Sequence, residues 1–343
     1  MDFLFSFIFP LLILTFISLL LKYLIIFLKK KKNLDIPEPR SNHSYPKPKG
    51  AGIVIIPTIL ISIFVYIKFG YIAFYPWFYI SLLMLVLFFT SLFDDLYNLT
   101  IFPRISIQIL CIILGLQIFE DNISEISKSL ISEEYIIKDQ FFIELILKSF
   151  LTIIWLWLVN LFNFMDGMDG LTSCQVSTFS IGMIILSILG HISSNETYIG
   201  LIMLSASIAF FIWNKPPAKL FLGDVGSIPI GFLIASIIIY NFIENNNFFP
   251  LILLILFHIS DATITLLLRL FKRKNILKAH SEHFYQNKIR LGFEHGEVLK
   301  KISIVNILLV LYMLLYLKSP EIGIFLSFVT IAGVMYWLKK DKK

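Results

Sequence analysis

Long apolar runs, separated by short polar stretches, dominate the pattern of hydrophobic and polar positions. Eleven of them have about the 20 residues that a helix needs to cross the hydrocarbon core of a bilayer. They lie near residues 3–28, 51–67, 72–93, 104–119, 146–162, 172–190, 198–213, 226–243, 249–268, 302–317 and 321–338. This pattern predicts an all-α, polytopic membrane bundle of about eleven spanning helices.

Composition agrees with this prediction. Hydrophobic residues make up 57% of the 343 residues and charged residues only 15%, with a mean hydropathy of +0.84. Soluble proteins carry about 25% charged residues. We therefore expect one transmembrane domain over residues 1–343, surrounded by membrane lipid and without a nucleic-acid partner. The first run has neither basic residues before it nor a small-residue cleavage site, which favours a retained anchor.

Basic residues predict the orientation of the bundle. With the N-terminus outside and the C-terminus in the cytoplasm, the cytoplasmic segments hold 23 Lys and Arg residues and the outside segments five. This excess obeys the positive-inside rule. Besides the C-terminal end, the predicted cytoplasmic segments are 29–50, 94–104, 160–171, 214–225 and 269–301.

Four polar clusters fall on this predicted cytoplasmic face, although they are far apart in the sequence. They are found in the stretches "SLFDDLYNLT", "LFNFMDGMDGLT", "KLFLGDVGS" and "AHSEHFYQNKIRLG". Adjacent carboxylates such as those in the first stretch repel each other unless a cation is near. The clustering predicts a single polar site at one membrane surface.

The second stretch carries polar residues at three-residue steps, and each aspartate is followed by a glycine. Successive steps of three rotate around a helix axis, so Asn163, Asp166 and Asp169 cannot form one stripe. Gly167 and Gly170 instead indicate a break in the helix where the backbone approaches a ligand. Carboxylate and amide oxygens are typical ligands of Mg²⁺, which usually shares its shell with substrate phosphate.

Five blocks of the sequence, in this order, resemble the polyprenyl-phosphate N-acetylhexosamine-1-phosphate transferases of glycosyltransferase family 4. The blocks lie between about residues 35 and 295 and read "RSNHSYPKPKGAG", "FDDLYNLTIFPR", "NLFNFMDGMDGLT", "WNKPPAKLFLGDVGS" and "DATITLLLRLFKRKNILKAHSEHFYQ". The third and fourth blocks are highly specific, whereas a pair of aspartates alone is not. The first and last blocks resemble the branch that begins O-antigen or capsule synthesis.

The resemblance implies one reaction at the bacterial cytoplasmic membrane. An N-acetylhexosamine 1-phosphate moves from a UDP-sugar to undecaprenyl phosphate, UMP leaves, and a lipid-linked pyrophosphoryl sugar remains. The resemblance implies Mg²⁺ as the cofactor, with Mn²⁺ as a substitute. The resemblance is compatible with a homodimer. It is also compatible with either direct displacement of UMP or a covalent aspartyl intermediate.

The resemblance also implies roles for individual residues. Asp224 matches a metal-binding catalytic aspartate, with Asn163 as a second ligand. Asp94 and Asp95 match the catalytic acidic pair, in which Asp94 would deprotonate or orient the lipid phosphate. The remaining contacts are to phosphate at Asn98, Arg104 and Lys219, to the nucleotide at Asp166, Asp169 and Phe221, and to the sugar or diphosphate at His280 and His283.

Two alternatives stay open on the sequence. One is the phospho-N-acetylmuramoyl-pentapeptide transferase of peptidoglycan synthesis, although those enzymes carry adjacent histidines and His280 and His283 are separated here. The other is a proton-coupled transporter, because buried Asp and His relays also mark transporters. Polar clusters at one face, and the lack of evident inverted repeats, favour the transferase over the transporter. A catalytically inactive scaffold does not explain why every expected acid is present.

Two further residues are assigned from their position alone. Asp261 lies about 12 Å from the end of its span, at about 1.5 Å per residue, where an ionisable group is costly and usually functional. His258, three residues earlier, could pair with it, so a structural and a catalytic role are equally expected. His295 is expected to lie on the loop surface.

Overall fold

The computed structural model describes residues 4–31, 34–37, 45–97, 99–130, 137–245, 247–275 and 280–340. Within these ranges the chain is helical and has only isolated β-bridges. A π-helical turn, Leu4–Ile8, leads into the first of fourteen α-helices. They are α1 (Phe9–Lys30), α2 (Gly52–Lys68), α3 (Trp77–Tyr97), α4 (Ile101–Ile118), α5 (Glu120–Ser129), α6 (Ile137–Phe164), α7 (Leu171–Ile188), α8 (Asn195–Asn214), α9 (Asp224–Asn245), α10 (Phe249–Leu254), α11 (Leu256–Phe271), α12 (Phe284–Arg290), α13 (His295–Tyr316) and α14 (Pro320–Lys339).

Nine helical segments of the described chain are long and apolar enough to cross a membrane. They correspond to nine of the eleven predicted runs, and a tenth run forms the shorter apolar helix α2. The predicted class, a polytopic helical membrane bundle, is confirmed. The orientation of the termini stays a prediction.

The predicted run 249–268 differs from a continuous span. It forms two helices, α10 and α11, which are separated at Ile255. At this point the side-chain amide of Gln175, from α7, donates a hydrogen bond to the carbonyl of Leu254 at 2.8 Å. A side chain that takes a backbone carbonyl out of the helical ladder is a recognised cause of a helix break.

Helix α9 lies at the centre of the bundle, and 89% of its 18-residue apolar stretch is buried. It packs against α2, α3 and α6. Gly231 permits the close approach to α6, because a Cβ there would lie 2.8 Å from the carbonyl oxygen of Val159. The first residue of α9 is Asp224, so the packing places this carboxylate in the middle of one end of the bundle.

The segment before α2 pairs with the segment before α9. The Phe221 backbone N–H donates to the carbonyl of Pro48 at 2.9 Å, and its own carbonyl accepts from the backbone N–H groups of Gly50 and Ala51, both at 3.0 Å. Lys49 and Phe221 form a parallel bridge. These bonds hold two lysines, Lys47 and Lys49, at the same end of the bundle as Asp224.

Candidate active site

Three carboxylates and two cations form an alternating sequence of ion pairs, here called the charged chain. Arg104 joins two of the acids, with Nη1 at 2.9 Å from Asp94 Oδ2 and Nη2 at 3.0 Å from Asp224 Oδ2. Lys49 Nζ lies 3.8 Å from Asp224 Oδ1 and 2.8 Å from Asp95 Oδ1. The carboxylates of Asp94, Asp95 and Asp224, separated by up to 130 residues, therefore share one location.

Each member of the charged chain is positioned by a helix end or a short bridge. Asp94 and Asp95 lie in the last turn of α3, and Arg104 lies in the first turn of α4. The backbone N–H of Val225, at the beginning of α9, donates to Asp95 Oδ2 at 3.1 Å. Burial opposes protonation of Lys49, but the charges of Asp224 and Asp95 outweigh it and raise the pKa of Lys49.

Asn163, in the last turn of α6, adjoins the central carboxylate. Its Nδ2 lies 3.4 Å from Asp224 Oδ2, and its Oδ1 accepts a hydrogen bond from the Ser227 hydroxyl at 3.2 Å. Turning the amide by 180° would present its oxygen to the same point. Within the described ranges, no group of three or more His, Cys, Asp or Glu side chains has the geometry of a metal site. One carboxylate and one amide fit Mg²⁺ of the kind that completes its shell with substrate phosphate.

The predicted helix break after α6 is present. Helix α6 ends at Phe164, α7 begins at Leu171, and Gly170 has a φ of +80°, a left-handed conformation that favours glycine. At Gly167 a Cβ would collide with the Tyr285 hydroxyl, which accepts the Gly167 backbone N–H at 3.0 Å. The break therefore receives a side chain from α12.

The two aspartates of the break have different surroundings. Thr172 Oγ1 donates a hydrogen bond to Asp166 Oδ1 at 2.6 Å. Burial, opposed by this hydrogen bond but reinforced by the charge of Asp224, raises the pKa of Asp166 to about 7. Asp166 therefore loses much of its negative charge near neutral pH.

Asp169 is buried, and its two carboxylate oxygens have different surroundings. Oδ2 accepts the Ala218 backbone N–H at 2.8 Å and faces Lys47 Nζ at 3.4 Å. Oδ1 has no hydrogen-bond partner among the described residues. His295 Nδ1 lies 3.4 Å from Oδ1 and 3.3 Å from the Asp169 backbone nitrogen, whose N–H it accepts in the tautomer with an unprotonated Nδ1. In that tautomer Asp169 Oδ1 is left to accept an N–H from a ligand.

Only some of the residues predicted to bind phosphate or the nucleotide have described contacts at the site. Phe221 lies beside Asp169, since Lys47 contacts both, with its Nζ 5.2 Å from the Phe221 ring centroid. Arg104 is in the charged chain. Lys219 is exposed, and its Nζ lies 5.9 Å from the Trp213 ring centroid, so its described contact is outside the charged chain. Asn98 lies outside the described residues.

His280 and His283 lie together in what we call the histidine segment, residues 280–290. Their rings stack with centroids 5.2 Å apart. Burial, followed by the neighbouring charge of His283, lowers the pKa of His280 to about 4. His280 is therefore a neutral imidazole at physiological pH.

Asp261 pairs with His283 and not with His258. Its Oδ1 lies 3.2 Å from His283 Nδ1, and its two oxygens accept the backbone N–H groups of Phe284 and Tyr285 at 3.0 and 3.1 Å. Neither ring nitrogen of His258 has a hydrogen-bond partner in the described part of the chain. Asp261 thus orients the histidine ring and satisfies the first turn of α12.

Four residues that contact the site were not predicted from the sequence or were assigned elsewhere. Lys47 and Lys49 occur in the first quoted block, "RSNHSYPKPKGAG", which was a usable signal. Tyr285 had no sequence signal other than its position in the fifth quoted block, two residues after His283. The expectation that His295 lies on the loop surface is wrong, because α13 begins at this residue and brings it to Asp169.

Comparison with known proteins supports the resemblance read from the motifs. The sequence profile of glycosyl transferase family 4 matches residues 77–241. A Bacillus subtilis protein named "Probable undecaprenyl-phosphate N-acetylglucosaminyl 1-phosphate transferase" is 24% identical over 187 residues, which are 53% of this chain and 52% of that protein.

Peptidoglycan enzymes are also similar over shorter segments. The phospho-N-acetylmuramoyl-pentapeptide-transferase of Streptococcus agalactiae is 39% identical over 89 residues, 24% of this chain and 25% of that protein. The Streptococcus mutans enzyme of the same name is 30% identical over 135 residues, 38% of each chain. The matched part of the chain thus spans about a quarter to a half of these relatives. The matched region holds Asp94, Asp95, Arg104 and Asp224 of the charged chain, and over these residues the protein is similar to glycosyl transferase family 4.

Proposed function

We propose that this integral membrane protein transfers an N-acetylhexosamine 1-phosphate from a UDP-sugar to undecaprenyl phosphate. In the net reaction a bond forms between an oxygen of the lipid phosphate and the phosphorus that carries the sugar. The bond from that phosphorus to UMP breaks, and UMP leaves with the electron pair. The product would initiate O-antigen, capsule or another envelope glycan at the cytoplasmic face of the bacterial inner membrane.

The charged chain is the observation that carries this proposal. Arg104 and Lys49 are both paired with Asp224, and both are the cations that proteins use to bind phosphate. Phosphate oxygens would compete for these cations and thereby free the Asp224 carboxylate. The arrangement therefore suits a site that exchanges internal ion pairs for a diphosphate and a lipid phosphate.

Within this proposal Asp224 and Asn163 would hold Mg²⁺. Bound there, the ion would neutralise charge on the pyrophosphate oxygens and on the departing UMP. Asp94, fixed by Arg104, would orient or deprotonate the lipid phosphate. Asp169 Oδ1 would accept the uracil N–H, and Phe221 would stack against the base. His280 and His283 would contact the sugar or its diphosphate.

The test is UMP release from purified protein incubated with undecaprenyl phosphate and a panel of UDP-sugars. We expect release with at least one UDP-N-acetylhexosamine, abolition by EDTA, and recovery on addition of Mg²⁺ or Mn²⁺. Full turnover in EDTA would remove the metal from the mechanism. The absence of UMP with every member of the panel would contradict the proposed function.

Transfer of phospho-N-acetylmuramoyl-pentapeptide is the second candidate, because the Streptococcus relatives with that name are up to 39% identical over the matched segments. UDP-N-acetylmuramoyl-pentapeptide therefore belongs in the same panel. Turnover with the pentapeptide substrate alone would establish this candidate in place of the first.

The proposed cytoplasmic location of the site has its own test. We expect cysteines at positions 94 and 95, in a Cys111→Ser, Cys174→Ser background, to react with a membrane-impermeant reagent in inside-out vesicles only. Undecaprenyl phosphate should protect them. Labelling from alternate sides would instead indicate the alternating access of a transporter.

A further inference from the structure

The helix that follows His283 is attached to the bundle near its far end as well as at its first turn. Lys288 of α12 is 1% exposed, and its Nζ donates hydrogen bonds to the carbonyls of Trp337 at 2.8 Å and Lys340 at 2.7 Å. These carbonyls lie in the last turn and at the C-cap of α14. Helix α14, the last apolar span, is therefore joined directly to the histidine segment.

Two aromatic rings also lie close to this ammonium group. Lys288 Nζ lies 4.0 Å from the ring centroid of Phe293 and 4.4 Å from that of Trp337. A cation is stabilised at the C-terminal end of a helix and over aromatic faces. Because burying a lysine is otherwise costly, the contact favours the arrangement in which α12 and α14 are docked together.

The attachment affects the position of His283. Helix α12 has seven residues and is about 10 Å long, so it behaves as one rigid element. Asp261 fixes its beginning, at the imidazole and the first backbone N–H groups. Lys288, five residues after His283, fixes the direction of the helix relative to α14.

We propose that Lys288 is a positioning residue through which α14 holds His283 in place for the sugar or diphosphate. The inference rests on the proposed function, because it assigns His283 a contact with the UDP-sugar. It also gives the last span a role in the reaction, although α14 contributes no side chain to the charged chain.

The test compares Lys288→Met with Lys301→Met in the full-length protein. Both lysines lie over the Trp337 ring, but Lys301 is on α13, with its Nζ 5.1 Å from the ring centroid. Loss of the Lys288 contacts should raise the KM for the UDP-sugar about tenfold, while the KM for undecaprenyl phosphate stays within about twofold. Lys301→Met should leave both values within about twofold of wild type.

Hydrogen–deuterium exchange without substrates provides a readout that does not depend on the reaction. Peptides that cover α12 should exchange at least about tenfold faster in Lys288→Met than in wild type. In Lys301→Met their exchange rate should equal that of wild type. If Lys288→Met does not purify as a folded protein, Trp337→Leu is the substitute. It removes one ring and keeps the backbone carbonyls, and should shift the same two measurements in the same direction by a smaller factor.

The outcomes separate the two proposals. Faster exchange of α12 with an unchanged KM would show that the contact is only structural and would overturn the positioning role. Unchanged exchange would overturn the attachment itself. If no variant, wild type included, releases UMP, the proposed function fails, while the exchange data still decide whether Lys288 holds α12.

Discussion

The charged chain and the histidine segment are built in opposite ways. In the charged chain, cations and acids pair at a partly open surface, with side chains that are 7–38% exposed. In the histidine segment, His283 and Asp261 are 2% and 0% exposed, and α12 is held by buried hydrogen bonds. Ion pairs at a surface exchange readily for other ions, whereas buried polar networks are rigid. The difference indicates that the charged chain receives phosphates and metal, whereas the histidine segment holds α12 and His283 in a fixed orientation.

The largest expected effect comes from the centre of the charged chain. Asp224→Asn should lower kcat by roughly a thousandfold, because an amide cannot replace the carboxylate as a metal ligand. Glu244→Gln is the matched control, since it makes the same change at the opposite end of α9 and should keep kcat within about twofold. UMP release measures both, and equal losses would mean that the effect belongs to the helix and not to the site.

Arg104 offers a sharper test of the same region. Its two terminal nitrogens bridge Asp94 and Asp224, a geometry that a single ammonium group cannot reproduce. Arg104→Lys should lower kcat/KM about thirtyfold, and Arg104→Met about a hundredfold. If Arg104→Lys retains full kcat/KM, the bridge is dispensable and only the positive charge matters.

Asp169 tests how a buried acid next to the charged chain recognises the nucleotide. Loss of one hydrogen bond to a charged group is worth roughly 1.5–3 kcal/mol. Asp169→Ala should therefore raise the KM for the UDP-sugar about ten- to a hundredfold and that for the lipid much less. Thr172→Val is the comparison variant, because it removes the hydrogen bond to Asp166, the neighbouring predicted nucleotide contact, and leaves Asp169 intact. Equal increases for both substrates would assign Asp169 a structural role.

Substitution of Asp261 should have the smallest effect on turnover and the clearest effect on the stability of the fold. Asp261→Asn removes the charge that faces His283 and the α12 backbone N–H groups, so we expect about a tenfold loss of kcat/KM and a lower Tm. Thr265→Val is the control, because Thr265 Oγ1 also contacts Asp261 Oδ1, at 3.3 Å, yet it lies outside α12. A thousandfold loss of kcat with an unchanged Tm would place Asp261 in the chemistry and break the contrast between the two regions.

Much of the architecture can be predicted from the sequence. The number and limits of most spans follow from apolar runs of sufficient length, because this requirement is set by the bilayer and not by neighbouring helices. The break around Gly167 and Gly170 is predictable for a similar reason, since glycine at such spacing is a local signal. The acids Asp94, Asp95 and Asp224 are likewise predicted to share one end of the bundle, because each lies beside the end of an apolar run.

Tertiary structure decided which of these groups touch one another. Lys49 reaches Asp95 and Asp224 because the segment before α2 pairs with the segment before α9, and Asp261 faces His283 because α12 folds back onto α11. The division of the run 249–268 depends on Gln175 from another helix. Span length is a property of a continuous stretch of sequence, but ion pairs and hydrogen bonds between distant residues depend on how the helices pack.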